Sequence, residues 1–451
     1  MRCDRRDPGS VQRLPRSRRE RVANLVPVAE IVASVHLLTS SPSPLSPVLG
    51  TGGGFRISNF EFRVPRPASC YYPVMPEKLN PLWVATELGV REVAGTCAET
   101  GRFALDTEAD SLHSYFHKVC LVQVTVDGRH AVIDPLALGS AELDPLWNVV
   151  ADAGTTVVMH GADYDIRVLD RDYGARVRGL EDTQIMAQLL GEEKTGLAHL
   201  LHQEFGIALD KKHQRADWGR RPLSADQLEY AAADTAHLIE LADRLRGRLV
   251  DLGRWPWALE EFDRLTQVRH EPSVPDPLAF ERIKGAKKLR GKARDRLFDL
   301  FLWRDGEAQR LDLPPFKVLG NRPMLELAES PPESSADLAR VPGLGQRFVR
   351  RWGTKVLRHL ERPKSAPPPL RRARLPGPSS LERRRLDALT AARDTVAAEL
   401  GLQPGLVAPK ALLRAVAEAD GLGEIGMGSG LAGWRLEVLG KPFTAAMKGV
   451  E

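Results

Sequence analysis

Apolar and polar positions along this chain change their period several times, and each change marks an element. Phe103-Ala104-Leu105 is a short apolar run that ends in Asp106-Thr107-Glu108. It reads as a strand whose two acids, at i and i+2, project from one face. Strand-like runs at 102–106, 119–126 and 130–133, the last two joined by Asp127-Gly128, predict three antiparallel strands with a hairpin. A helix over 82–88, continuing to Val93, is expected to lead into the first of them. A helical pattern over 143–152 precedes Thr156-Val157-Val158-Met159, which has the continuous apolar character of a buried strand flanked by helices. The resulting β-β-β-α-β-α order implies a mixed sheet with helices on both faces. Helical patterns follow at 182–190 and 197–205, then a polar segment at 210–222. A long helix opens at Ser224 and continues through Leu238 and Leu241, with Tyr230 and Asp234 at i and i+4 on one face.

Beyond Gly253 the pattern becomes wholly helical. A helix is expected at 255–268, and Pro-containing chain at 271–277. Helices then follow at 297–311 and 324–328, and a basic helix starts near Arg347. Here Arg304-Asp305, Ala308, Leu311, Leu313, Pro315 and Val318 recur as Arg393-Asp394, Ala397, Leu400, Leu402, Pro404 and Val407. A constant offset over so many positions predicts two copies of one small helical module.

Composition narrows the class. At 451 residues, 43% hydrophobic and 27% charged, the chain is globular and long enough for several domains. A net charge of +5 suits a polyanion partner without requiring one. Cys3, Cys70, Cys97 and Cys120 form no C-x-x-C pair, so neither a zinc site nor a disulfide framework is indicated, and a reducing setting is expected. No run approaches the ~20 apolar residues of a membrane span. The nearest, 22–38, follows a basic stretch but carries Glu30 and His36, unlike the apolar core of a signal peptide. Residues 1–78, rich in Ser, Pro and Gly, read as a low-complexity leader.

Asp106, Glu108, Asp165 and Asp234 are the candidates for one site. Buried carboxylates are costly unless a cation compensates them, and hard oxygen donors without a Cys or His cluster suit Mg²⁺ or Mn²⁺. Two such ions can activate water and stabilise the leaving oxygen of a phosphodiester. Tyr230, one turn before Asp234, is placed to orient the water. Each residue also has a plainer reading: Asp165 as a helix cap, Asp163 as the competing ligand about 200° around the same helix, and Asp-x-Glu as an ordinary strand end.

These stretches together resemble the ribonuclease D type of the DEDD exonuclease superfamily, in its tyrosine branch. The matching residues are Leu105 to Glu108, His160 to Asp165, Asp182-Thr183-Gln184, Asp210 to Leu223, and Tyr230 to Asp234. The module with Trp303-Arg304-Asp305 and Pro314-Pro315-Phe316 is similar to the HRDC domain found in that family. The resemblance implies an RNase H-like α/β catalytic domain followed by two small all-α HRDC-like domains. It implies two divalent ions held by Asp106, Glu108, Asp165 (rather than Asp163) and Asp234, with Tyr230 positioning the water. The implied reaction is 3′→5′ trimming of RNA with a free 3′ end, transfer-RNA precursors above all, to nucleoside 5′-monophosphates, by a cytoplasmic monomer. The expected divisions are 1–78 leader, 79–253 exonuclease domain, 254–278 connecting helix and linker, 279–362 first HRDC-like domain, 363–379 Pro/Arg-rich linker and 380–445 second HRDC-like domain.

Lys211, Lys212, Gln214, Arg215, Trp218 and Arg220 interleave cations with an aromatic as a single-strand RNA surface does; the plainer reading packs Trp218 in the core. Lys287, Lys288, Arg290, Lys292 and Arg294, with Arg347, Arg350 and Arg351, form a second basic candidate. The rival functions are a DNA-acting 3′→5′ exonuclease and a non-catalytic RNA-binding scaffold.

Overall fold

The computed structural model describes residues 78–272, 274, 276–365, 367–368, 379–418 and 430–450. The leader expected over 1–78 and the linker over 363–379 fall largely outside them. A mixed sheet carries the first domain. It is built from β1 (Leu82–Val84), β2 (Arg102–Ala109), β3 (Val119–Val126), β4 (Arg129–Ile133), β5 (Thr156–Met159) and β6 (Leu180–Asp182). Their spatial order is β1-β4-β3-β2-β5-β6. Only β3 runs against the others: it pairs antiparallel with β2 and β4, whereas β1 with β4, β2 with β5, and β5 with β6 are parallel.

Eight helices flank this sheet: α1 (Glu87–Thr100), α2 (Ser140–Val150), α3 (Asp163–Tyr173), α4 (Thr183–Leu189), α5 (Leu197–Phe205), α6 (Ala225–Ala236), α7 (Leu238–Asp251) and α8 (Trp255–Thr266). The large core has Phe103, Leu105, Val122, Val157, Leu169, Leu241 and Leu245 at its heart. A smaller one, Cys120, Leu121, Val132, Trp218, Ala231 and Ala232, seats α6 against β3 and β4.

Three expectations need correction. Residues 82–84 form a strand rather than the start of a helix, with Leu82 aligned to Ala131 and Val84 to Ile133, and the helix begins at Glu87. A sixth strand, Leu180–Asp182, occupies the edge beside β5. The long helix from Ser224 is two helices, broken at His237, which leaves helical geometry at φ −117°.

The helical half repeats itself. The first module comprises α9 (Gly291–Leu311), α10 (Pro315–Val318), α11 (Asn321–Glu329), α12 (Ser335–Leu338) and α13 (Gln346–Glu361). The second comprises α14 (Ser380–Leu400), α15 (Pro404–Val407), α16 (Lys410–Glu418) and α17 (Gly433–Lys448). α9, α10 and α11 map onto α14, α15 and α16 at the offset seen in the sequence. The repeated arginines do the same work: Arg304 donates to the Leu319 carbonyl and Arg393 to that of Ala408.

Each module has its own core and docks separately. The first meets the 110–118 loop, where the backbone N–H groups of Tyr115 and Phe116 both donate to Asp312 at 2.9 Å. The second stacks Trp434 on Trp257 at 4.8 Å, with Trp434 Nε1 donating to Glu261 at 2.6 Å. Gly433 permits that approach, since a Cβ there would lie 1.7 Å from Glu260 Oε2.

Candidate active site

β2 delivers the first two acids. It lies between antiparallel β3 and parallel β5, and its register shifts after Glu108, a bulge of the kind that re-aims side chains at sites. Asp106 and Glu108 therefore leave one face near the carboxyl ends of the parallel strands, where open α/β sheets place their ligands. The turn after the bulge is pinned by Asp110, which accepts from Lys118 N and Lys118 Nζ, each at 2.8 Å.

The third acid comes from the helix after β5. The chain turns at Gly161, whose φ of +69° suits glycine and whose Cβ position would lie 3.1 Å from Gln184 Oε1. α3 has no side-chain cap of its own. Fully buried Asp182 supplies one from β6, accepting from Gly161 N and Ala162 N and also from Gln184 N and Ile185 N, between 2.8 and 3.1 Å. One carboxylate thus fixes the starts of two helices. Asp165 is buried and accepts from the Thr107 hydroxyl. Asp163 instead faces outward, 59% exposed and paired with Arg167 at 3.0 Å.

α6 brings Tyr230 and Asp234 over the same cavity, and its start is fixed by the Ser224 and Gln227 capping box. Asp106, Glu108, Tyr230 and Asp234 line a space of about 620 Å³, together with His160, Lys194, His199, Lys211 and Gln214. A contiguous smaller cavity adds Asp165 and Arg215 to Asp106 and Glu108.

The electrostatics of the four acids share one character. Burial, then the neighbouring Asp234, pushes Asp106 up to about 8. Burial, then Asp106, Asp234 and Asp165, pushes Glu108 up to about 9. Burial raises Asp234 to about 7 and, with Asp106, holds Asp165 well above the carboxylate range. Among the described residues, no cation is among the charges acting on any of them. Burial and the same acids also raise the Tyr230 phenol, which keeps it protonated at neutral pH.

This donor set fits hard divalent cations: four carboxylates with no basic partner among the described residues, on rigid elements round two adjoining cavities. Buried Gln123 stands opposite Asp106 in the ladder, with both amide atoms unpartnered among the described residues. Also among the described residues, no three acid, Cys or His side chains already form an ion-binding cluster. The donors share a cavity without a closed cage.

Of the RNA-surface candidates, Lys211 and Gln214 line the main cavity and Arg215 its smaller neighbour. Lys212 is exposed, 3.9 Å from Asp226, and Arg220 is exposed outside both cavities. Trp218 packs as the plainer reading has it, 1% exposed and stacked on Tyr230 at 5.9 Å, and it also borders the smaller cavity. Its indole is large enough to repay burial, and there it backs the Tyr230 ring. In the second basic group, Arg294 is held by Glu281 at 2.9 Å and covers Phe280, so it too is a packing residue.

His160 was missed as a site residue although its spacing to Asp165 was visible. It lines the cavity, with Nδ1 2.9 Å from the Thr183 hydroxyl, and burial lowers its pKa. Lys194 and His199 were missed because their loop and helix are separated from the acids in sequence.

A 3′-5′ exonuclease family model matches residues 81–250 and an HRDC domain model matches 293–360. The chain is 31% identical over 374 residues to ribonuclease D of Granulibacter bethesdensis, a match covering 79% of this chain and 91% of that protein. It is 32% identical to ribonuclease D of Sphingobium indicum over 56% of this chain and 66% of that one. In fold it is similar to the crystal structure of Escherichia coli RNase D, an exoribonuclease involved in structured RNA processing. There the TM-score is 0.57 at 24% identity, over 82% of this chain and 99% of that one.

Proposed function

From the premise that the chain belongs to the ribonuclease D family, we propose a divalent-metal-dependent 3′→5′ exoribonuclease that trims RNA from its 3′ end. Its products are nucleoside 5′-monophosphates and its main substrates transfer-RNA precursors, on which it acts as a cytoplasmic monomer. Among the described residues no helix is long and apolar enough to cross a membrane. The observation that carries the proposal is the set of four carboxylates round two adjoining cavities, each raised above its ordinary range with no cation among the described residues acting on it.

Asp106, Glu108, Asp165 and Asp234 would hold two ions, Mg²⁺ or Mn²⁺. When bound, such ions supply Lewis-acid activation of water and stabilise charge on the leaving oxygen. Tyr230 remains protonated, so it serves as a hydrogen-bonding guide for the attacking water rather than as a base. The Trp218 ring behind it fixes the phenol's direction. Neutral His160, oriented by Thr183, can hydrogen-bond the terminal nucleotide, and Lys211, Gln214 and Arg215 line its approach.

The test is degradation of matched RNA and DNA oligonucleotides labelled at the 3′ end. Release of labelled mononucleotide from RNA in Mg²⁺, abolished by EDTA, is the expected result. Preferential loss of the DNA label would move the activity to DNA, and binding of RNA without cleavage in Mg²⁺ would leave a scaffold.

A further inference from the structure

The segment over 210–222 borders the acid cavities yet contains no helix or strand, so its shape depends on what anchors it. Arg221 supplies the anchor. Its Nε and Nη2 donate to the two oxygens of Asp134 at 2.8 and 2.6 Å, a bidentate pair with a carboxylate only 3% exposed. Nη2 also donates to the Cys120 carbonyl on β3 at 2.9 Å, and Nη1 to the carbonyls of Trp218 and Arg220 at 2.6 and 3.0 Å. Every N–H of the guanidinium is thereby used. Asp134 is itself fixed just past β4: its N–H donates to the Val84 carbonyl at 2.8 Å, and its carboxylate accepts from Leu136 N at 3.0 Å. The pair therefore ties the backbone of Trp218 to β1, β3 and β4. A buried ion pair returns little net stability once its desolvation is counted, so what this one secures is geometry.

That geometry holds the ring beside Tyr230. The Trp218 indole lies 5.9 Å from the Tyr230 ring, inclined by 29°. Its Nε1 has no partner among the described residues, so packing and the grip on its carbonyl orient it. Tyr230 is in turn held by rings, Trp218 and an edge-on His213 at 6.0 Å. Arg221 lines neither cavity of the acids and its donors are taken, so it has no direct part in holding substrate.

We propose that Arg221, braced by Asp134, is a positioning residue for Tyr230. By tying the Trp218 backbone to the sheet it sets the ring against which the phenol is aimed. The proposal rests on the exoribonuclease reading. Lysine would keep the charge but not the planar fork, so it could not hold the Asp134 carboxylate and the Trp218 carbonyl together.

The test is a cycle on 3′-labelled RNA: kcat, KM and Mn²⁺ affinity of the full chain, of Arg221→Lys, of Tyr230→Phe and of the two combined. Arg221→Lys alone is expected to lower kcat about tenfold, since displaced reacting groups lose rate steeply, with KM and Mn²⁺ affinity unchanged. Added to Tyr230→Phe it should cost less than about twofold, because the hydroxyl it acts through is already gone. A role in stability alone would give the same factor in both backgrounds, and that result overturns the proposal. So does a change confined to KM, which would assign Arg221 to the RNA path of Lys211, Gln214 and Arg215. Asp134→Asn loosens the same pair more gently and replaces Arg221→Lys if that variant does not fold. Its expected loss is about threefold, again absent in the Tyr230→Phe background, and equal losses in both would overturn the proposal. Failure of the unaltered protein to degrade RNA would instead sink the exoribonuclease reading, and the positioning role with it.

Discussion

The acids of the candidate cavity and those inside the first helical module are the same chemical group in opposite surroundings. In the module, Glu307 accepts from Arg310 at 2.7 Å and from Trp352 Nε1 at 3.0 Å, with Lys355 3.6 Å away. The Arg310 guanidinium first, then the indole and Lys355, draw its carboxyl down to about 2. Asp299 is likewise matched by His359 at 2.7 Å and Ser365 N at 3.0 Å. In the cavity, Asp106, Glu108 and Asp234 are pushed up to about 8, 9 and 7 with nothing to balance them. Matched acids hold a structure together, whereas unmatched buried acids cost stability and mark a site whose counter-charge comes from outside.

The sharpest break between the two regions is Asp106→Asn. Turnover on 3′-labelled RNA should fall on the order of 10³-fold or more, because the metal-holding groups act as a unit. Melted without metal at neutral pH, the same variant should be more stable than the parent, since folding no longer has to bury a carboxyl that must take up a proton or carry charge there. A rate within tenfold of the parent would contradict the assignment. Tyr230→Phe keeps every carboxylate and the stacking on Trp218, so Mn²⁺ affinity should hold while kcat drops about 10²-fold. Full retention of rate would assign the water to another group.

Glu307→Gln should act with the opposite sign to Asp106→Asn. It weakens a charge-assisted network around Trp352, costing about 1–3 kcal/mol and lowering Tm by several degrees. Calorimetry of the two variants side by side gives the comparison directly. If both shift Tm the same way, the contrast between the regions fails.

The smallest effect is the shape of the pH dependence. The cavity acids have raised folded pKa values, so their contribution to metal-free stability is present below about 4 and is lost as pH climbs toward 7–9. Glu307 is depressed, so its contribution is present above about 4.5 and disappears as pH falls toward 2. Metal should erase the first slope and leave the second. A metal-free Tm that rises between pH 5 and about 8 on account of the cavity groups would contradict this, and Asp106→Asn provides the reference that isolates them.

What could be read from the chain follows the same division. Asp106 and Glu108 stood out because strand period places them together, Tyr230 and Asp234 because helix period does, and the two modules because one offset relates them. β1 and β6 were invisible because three residues carry too little periodicity, and sheet neighbours make them strands. The break at His237 has no Pro or Gly to announce it. Trp218 misled because an aromatic among cations looks like a binding surface until its tertiary partner, Tyr230, is seen. The four-way cap by Asp182 and the grip of Asp312 on the β2–β3 loop join residues distant in sequence, which no local pattern encodes.

The central claim is that the unmatched carboxylates await divalent ions, and calorimetric titration of the protein with Mn²⁺ tests it most directly. Saturable uptake of two ions by the parent protein, reduced in Asp106→Asn and in Asp234→Asn, is the predicted result. No saturable uptake, or uptake unaltered in both variants, would contradict it.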